Sequence, residues 1–303
     1  MISMRPINET DSWLNIDVDT IASRPDLLSQ YGLDEEIVEY ALDRNERART
    51  EYDRERNTFI IIYNVPNPIK QDYHYETVPM TFIVQPNRLI TISNEANAYL
   101  IPEFSRYLDA NPGVSVFTFL FASLYTVSEQ YFPLVEKINQ ERDQLNQVLR
   151  QKTTKQNLFA LSDLATGVVY FVSATKQNVV LLEQLRTQFM SRLLDEAARE
   201  ELEDSLIEAK QLVEMTQLTS TILHQLSGTY NNVLNNNLND TMKLLTIVSI
   251  LLTIPDIITS FFGMNMPLPF EQDAMGWVYI LLISAVGWVI GLRILNYLMD
   301  KKQ

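Results

Sequence analysis

The sequence predicts an α+β membrane protein: an N-terminal cytoplasmic α/β domain, then a long stalk helix that continues into the first of two C-terminal transmembrane helices. Three observations lead to it. Short β-rich runs crowd the first third of the chain, the middle lacks helix breakers, and two apolar runs of membrane-spanning length close the chain.

Residues 1–110 read as the α/β domain. Trp13-Leu14-Asn15-Ile16 is a candidate first strand, and Thr58 to Tyr63, Met80 to Val84 and Leu89 to Ile92 are β-branched runs set off by Asn, Pro and polar residues. Between them, Asp34 to Asp53 is charged with Ile37, Val38, Tyr40, Ala41 and Leu42 interspersed, which suits an amphipathic helix. Helices are expected on one or both faces of a small sheet.

Residues 111–240 read as a helical and stalk region. After Pro133 the next proline is Pro255, and Gly167 and Gly228 are the only glycines between them. Breaks near Gln151 to Thr154 and near Asp195-Glu196 leave two helices and a third running from about Ala197 to Phe262. At ~1.5 Å per residue that third helix is far longer than a bilayer is thick.

The hairpin divides into a span at 241–263, a connector at 264–276, a second span at 277–299 and a basic tail at 300–303. Its two apolar cores, Leu244 to Phe262 and Trp277 to Met299, each approach the ~20 residues needed to cross a hydrocarbon layer. The connector carries Glu271 and Asp273 but no Lys or Arg, whereas Lys243, Arg293, Lys301 and Lys302 sit at the opposite ends of the spans. By the positive-inside rule both termini are cytoplasmic. The N-terminus lacks signal- and transit-peptide patterns, in agreement with that expectation.

The first span carries a polar rhythm. Thr246, Ser249, Thr253, Asp256 and Ser260 follow one another at alternating intervals of three and four, and Met242, Asn239, Asn235 and Asn232 extend the series toward the cytoplasm. That spacing puts them on one helical stripe. A scaffold of coiled coils would place apolar residues along such a seam. A polar one lines a wet path when copies meet around an axis, which requires a symmetric homo-oligomer. The alternative for each hydroxyl is a bond back to its own helix. Asp256 argues for a cavity, because an intramembrane carboxylate costs ~3 kcal/mol on insertion scales, and no basic residue lies at its depth.

Composition narrows the chemistry further. A net charge of −14 with no basic cluster excludes a nucleic-acid partner, and the absence of cysteine removes thiolate sites and disulfides. His74 and His224 lack a second histidine at metal spacing and read as packed or surface residues. Any metal meets oxygen ligands, which suits hard divalent ions such as Mg2+. No nucleotide-binding loop and no His-Glu-x-x-His motif occurs, so neither nucleotide nor hydrolytic chemistry is expected.

Phe262-Gly263-Met264-Asn265, at the outer end of the first of two C-terminal spans, resembles the Gly-Met-Asn signature of the CorA Mg2+ channels. The match is supported by Asn239-x-x-Met242-Lys243-x-Leu245-Thr246, Pro255 and the basic C-terminus. The resemblance implies a homopentamer in the bacterial plasma membrane, with a funnel-shaped cytoplasmic domain, a pore of first spans and a ring of second spans. It implies a selectivity filter at Gly263, Met264 and Asn265, Asn239 and Met242 near the cytoplasmic mouth, and Mg2+ as both transported ion and regulator. Phe262 stands where many members have tyrosine, and Leu268-Pro269 interrupts the usual Met-Pro-Glu-Leu loop, so Glu271 and Asp273 become the candidates for an acidic outer ring. Met242 and Leu245 are the candidate hydrophobic constriction. Members sense cytoplasmic Mg2+ through carboxylates shared between subunits, and Glu203 and Asp204, within Glu200-Glu201-Leu202-Glu203-Asp204, are the candidates here; a solvated helix face explains those charges equally well. Three functions are consistent with these features: a passive Mg2+ channel, a transporter of Zn2+, Ni2+, Co2+ or Mn2+ with proton coupling through Asp256, or a membrane-anchored coiled-coil scaffold.

Overall fold

The computed structural model describes residues 2–24, 30–33, 35–43, 46–187, 194–264, 269 and 275–300. The chain divides into two compact units, Met1–Gly228 and Thr229–Gln303.

The first unit is built on a six-stranded mixed sheet in the order β1-β2-β6-β5-β4-β3, with β1 Ile2–Pro6, β2 Ser12–Asp17, β3 Arg49–Asp53, β4 Thr58–Pro66, β5 Thr77–Gln85 and β6 Arg88–Ser93. The β2–β6 pair is parallel and every other pair antiparallel. All nine residues of β4 are buried, as its near-continuous Thr-Phe-Ile-Ile-Ile-Tyr run requires of a strand covered on both sides.

Strand alternation sends two sets of side chains to opposite faces. Leu14, Ile16, Ile60, Ile83, Ile90 and Ile92 form one apolar cluster with Ile21, Leu33 and Ile37, covered by the short helices α1 Val18–Ser23 and α2 Glu35–Leu42. On the other face Trp13 meets Phe119 edge-on at 5.3 Å and Phe104 at 6.2 Å. These rings come from α3 Leu100–Ala110 and α4 Val116–Gln151, and α5 Lys155–Thr187 packs beside them. Several buried polar groups on this face are paired, as burial favours. Trp13 Nε1 donates to Thr91 Oγ1, which donates to Asn15 Oδ1. Asn178 of α5 accepts from the Asn64 amide and donates to its carbonyl, which also accepts from Tyr131 of α4.

Two expectations are corrected by the sheet. The amphipathic helix expected over Asp34 to Asp53 stops at Leu42, and Arg49–Asp53 is edge strand β3, pairing Glu51 with Ile60. Its charges suit an edge, where polar side chains keep the open side solvated, and that outcome depends on β4 lying beside it. The expected first strand at Trp13 is in fact the second: β1 precedes it, a short alternating run, Ile2-Ser3-Met4-Arg5, that pairs with β2.

The middle of the chain is helical, with turns after Gln151 and before Glu196, and α6 spans Glu196–Phe262. Leu202, Leu206, Ala209, Leu212 and Leu223 of α6 are buried within the first unit, and Ser205 donates to the Phe121 carbonyl of α4. The division between units falls inside α6. The second unit holds its remaining residues and α7 Gly276–Asp300.

Candidate functional site

Among the described residues, three helices are long and apolar enough to cross a membrane by length and composition: α5, α6 and α7. Burial separates them. A large share of the α5 stretch is already covered by protein, whereas none of the α6 stretch and almost none of the α7 stretch is. Many apolar side chains of α5 serve the first unit's core, whereas most of those of the C-terminal pair lack protein cover.

Within the second unit, Ile247, Leu251, Ile254, Ile258 and Phe262 are the more covered residues of α6, recurring at intervals of four, three, four and four. At about 100° per residue they form one side of the helix. Thr246, Ser249, Thr253, Asp256 and Ser260 are all exposed and fall on the opposite side. Met242, Leu245, Asn232, Asn235 and Asn239 are exposed as well.

Three hydroxyls of the stripe bond back to their own helix. Thr246 donates to the Met242 carbonyl, Ser249 to Leu245 and Thr253 to Ser249, at 2.8–2.9 Å. The donor hydrogens are thus spent internally, and each oxygen keeps lone pairs for a cation or its water. Asp256 has no such internal use as a donor, and between Lys243 and Arg293 the chain has no basic residue. At the C-terminal end of α6 the Gly263 amide donates to the Thr259 carbonyl, and Met264 is exposed. Asn265, Glu271 and Asp273 lie outside the described residues.

The α6 side away from the stripe packs on glycines that sequence reading missed. A β-carbon on Gly287 would lie 3.3 Å from Ile254 Cγ2, and one on Gly291 only 2.5 Å from Ile254 Cδ1. Gly287-x-x-x-Gly291 is the small-residue spacing that lets membrane helices approach closely, and it is visible in the sequence.

A second feature lies in the first unit. Tyr107, Tyr125, Glu129, Glu201, Asp204 and Glu208 line a cavity of about 520 Å³ between α3, α4 and α6. Tyr107 donates to Glu201 Oε1 at 2.9 Å. Burial, then the neighbouring Asp204 and Glu200, push the Glu201 carboxyl above its ordinary range despite that bond. Burial and then Glu208 do the same for Glu129. Asp204 thus faces the cavity, while Glu203 reaches Arg186 at 3.5 Å. Among the described residues no three carboxylates or histidines are placed to hold a metal ion. Glu129 and Glu208 were not singled out from the sequence, although Glu201, Asp204 and Glu208 share a helix face by their three-four spacing.

An uncovered apolar helix pair with a polar, carboxylate-bearing seam is the construction of a membrane protein that handles cations. The sequence profile of the family described as CorA-like Mg2+ transporter protein matches residues 8–296, and the chain belongs to this family, whose members are membrane ion transporters and not enzymes. The cobalt/magnesium transport protein CorA of Methanocaldococcus jannaschii is 22% identical over 266 residues, covering 86% of this chain and 82% of the relative. The complete structure of the CorA magnesium transporter from the same organism superposes with a TM-score of 0.79 at 21% identity, over 94% of this chain and 90% of that one. The full-length CmaX protein gives 0.69 at 16% identity, over 94% and 88%. At these identities the structural likeness is one of fold.

Proposed function

We propose that the protein is a passive channel for divalent cations, with Mg2+ as its ion, assembled as a homopentamer in the plasma membrane with both termini cytoplasmic. The observation that carries this reading is the placement of Thr246, Ser249, Thr253, Asp256 and Ser260 on the side of α6 opposite its contact with α7. With α7 covering the other side of α6, the polar side is the one left to face other copies. Family membership supports the ion class.

In this reading the Gly263 carbonyl, Met264 and Asn265 form the outer filter. A ring of amide and peptide oxygens hydrogen-bonds a hydrated Mg2+, which releases its water reluctantly. Glu271 and Asp273 attract cations outside. One Asp256 per subunit concentrates cations and repels anions within the path. Met242 and Leu245 form the hydrophobic constriction, with Asn232, Asn235 and Asn239 at the inner mouth. Uptake runs down the membrane potential, which contributes ~2.3 kcal/mol per charge per 100 mV and about twice that for a divalent ion. Asp204 in the acidic cavity contributes to gating by cytoplasmic divalent cation. Glu203, already near Arg186, contributes only once that pair opens.

Flux into liposomes tests the reading, using Mg2+ with Zn2+, Ni2+, Co2+ and Mn2+ as competitors on the native chain, Asn265→Ala and Asp256→Ala. Mg2+ flux lost in both variants is the expected result. Assembled protein that passes no divalent ion would sink the channel, and flux that needs a pH gradient would replace it with proton-coupled transport.

A further inference from the structure

We propose that Ile254 and the Gly287/Gly291 notch on α7 are positioning residues that set the rotation of α6 about its own axis, and thereby decide which residues of α6 face the ion path. The inference rests on the channel reading of the polar stripe.

The contact is closer than any side chain other than hydrogen allows at position 291. A β-carbon there would stand 2.5 Å from Ile254 Cδ1, and one at position 287 would stand 3.3 Å from Ile254 Cγ2 and 3.4 Å from Ile258 Cδ1. Both branches of Ile254 are therefore seated, one against each glycine. A β-branched residue in a helix has one strongly preferred χ1 rotamer, which holds Ile254 Cγ2 against Gly287, while Cδ1 turns about χ2 and fills the space that the missing side chain at Gly291 leaves.

The two residues after Ile254 make that seat consequential. Pro255 lies inside α6 and has no amide to donate to the Leu251 carbonyl. Backbone hydrogen bonding is weakest at this point, and side-chain packing holds the orientation instead. Asp256 comes next, two residues past Ile254 and on the far side of the helix. Any turn of α6 at the notch is delivered directly to Asp256 and Thr253.

The chain has no cysteine, so single cysteines report which side of α6 meets water. Thr253→Cys lies on the polar stripe and Ile257→Cys beside it. In otherwise native full-length protein, a charged thiol reagent is expected to label Thr253→Cys and to spare Ile257→Cys. Adding Gly291→Ala is expected to shift labelling from the first position toward the second and to remove most of the Mg2+ flux, with Gly287→Ala acting more weakly. Ile254→Val deletes the Cδ1 carbon that the new methyl meets, and is expected to restore both labelling and flux to Gly291→Ala. Ile254→Ala, which empties the notch without adding bulk, is expected to spread labelling over both positions. Unchanged labelling in assembled Gly291→Ala, failure of Ile254→Val to restore it, or labelling still confined to Thr253→Cys in Ile254→Ala each overturns the proposal. Failure to label Thr253→Cys in the native background is a different result: it removes the pore-lining role of the stripe and this inference with it.

Discussion

Tyr107 donates its phenolic hydrogen to Glu201 Oε1 at 2.9 Å, joining α3 to the opening turns of α6 at the wall of the acidic cavity. The bond ties the helix that follows the sheet to the helix that carries the polar stripe. Burial and the neighbouring Glu201 together raise the Tyr107 hydroxyl well above the ordinary tyrosine range, so it stays a donor at any physiological pH. Tyr107→Phe removes it and is expected to cost about 1.5 kcal/mol, the lower end for a bond to a charged group because the site is partly open. Calorimetric melting of the full chain in detergent measures the loss; a melting curve unchanged from the native one would show that water replaces the bond without cost.

Glu129 faces the same cavity and predicts a pH dependence. Burial and Glu208 raise its carboxyl above the ordinary glutamate range, so folding favours the protonated form. The ionised group therefore weakens the fold above its raised value. That penalty fades as pH falls through the raised value and is absent below the ordinary one. Glu129→Gln is expected to melt higher than the native protein near pH 7, with the difference closing toward about pH 4. A gap that widens on acidification would contradict the sign.

Asn178 is buried and satisfies both the amide and the carbonyl of Asn64 in β4. Asn178→Leu leaves the amide without a partner in the core, while Tyr131 still serves the carbonyl. The expected cost is roughly 2 kcal/mol, read from denaturant unfolding of the first unit's tryptophan signal. Asn178→Asp, which keeps an acceptor, is expected to lose less only at acidic pH, where the carboxyl is neutral.

Two glycines on long helices separate packing from propensity. A β-carbon on Gly167 of α5 would meet the Tyr75 backbone nitrogen at 3.0 Å and oxygen at 3.2 Å, beside the His74 ring that stacks on Tyr170 at 5.6 Å. Gly167→Ala is expected to destabilise by about 1–3 kcal/mol because backbone must move. Nothing lies within 4 Å of a β-carbon on Gly228, so Gly228→Ala is expected to stabilise by up to about 1 kcal/mol through helix propensity alone. Equal effects of the two substitutions on melting would argue against the close approach at Gly167.

Asp256→Lys is expected to abolish divalent flux, and Asp256→Asn to lower it by roughly tenfold through loss of cation focusing. Reversal potentials under salt gradients check the same point: Asp256→Asn is expected to discriminate less against anions. Unaltered conductance and selectivity in assembled Asp256→Lys would place this carboxylate off the ion path.

The sequence by itself determined the elements governed by local periodicity and composition. The two apolar runs, the breaks near Gln151 and Glu196, and the four buried strands β2, β4, β5 and β6 were legible because hydrophobic pattern and breaker residues act over a few neighbours. The three-four rhythm from Asn232 to Ser260 was legible for the same reason. Tertiary structure alone decided what those elements lie against. Arg49–Asp53 became a strand because β4 offers a hydrogen-bonding edge, and β1 finds its partner in β2. Glu129 and Glu208 meet Glu201 and Asp204 only when α4 and α6 pack together. The polar stripe, visible as a pattern, acquired a direction only through the seating of Ile254 on Gly287 and Gly291. A helix carries its faces in its sequence, but which face is covered is set by partners that are distant along the chain.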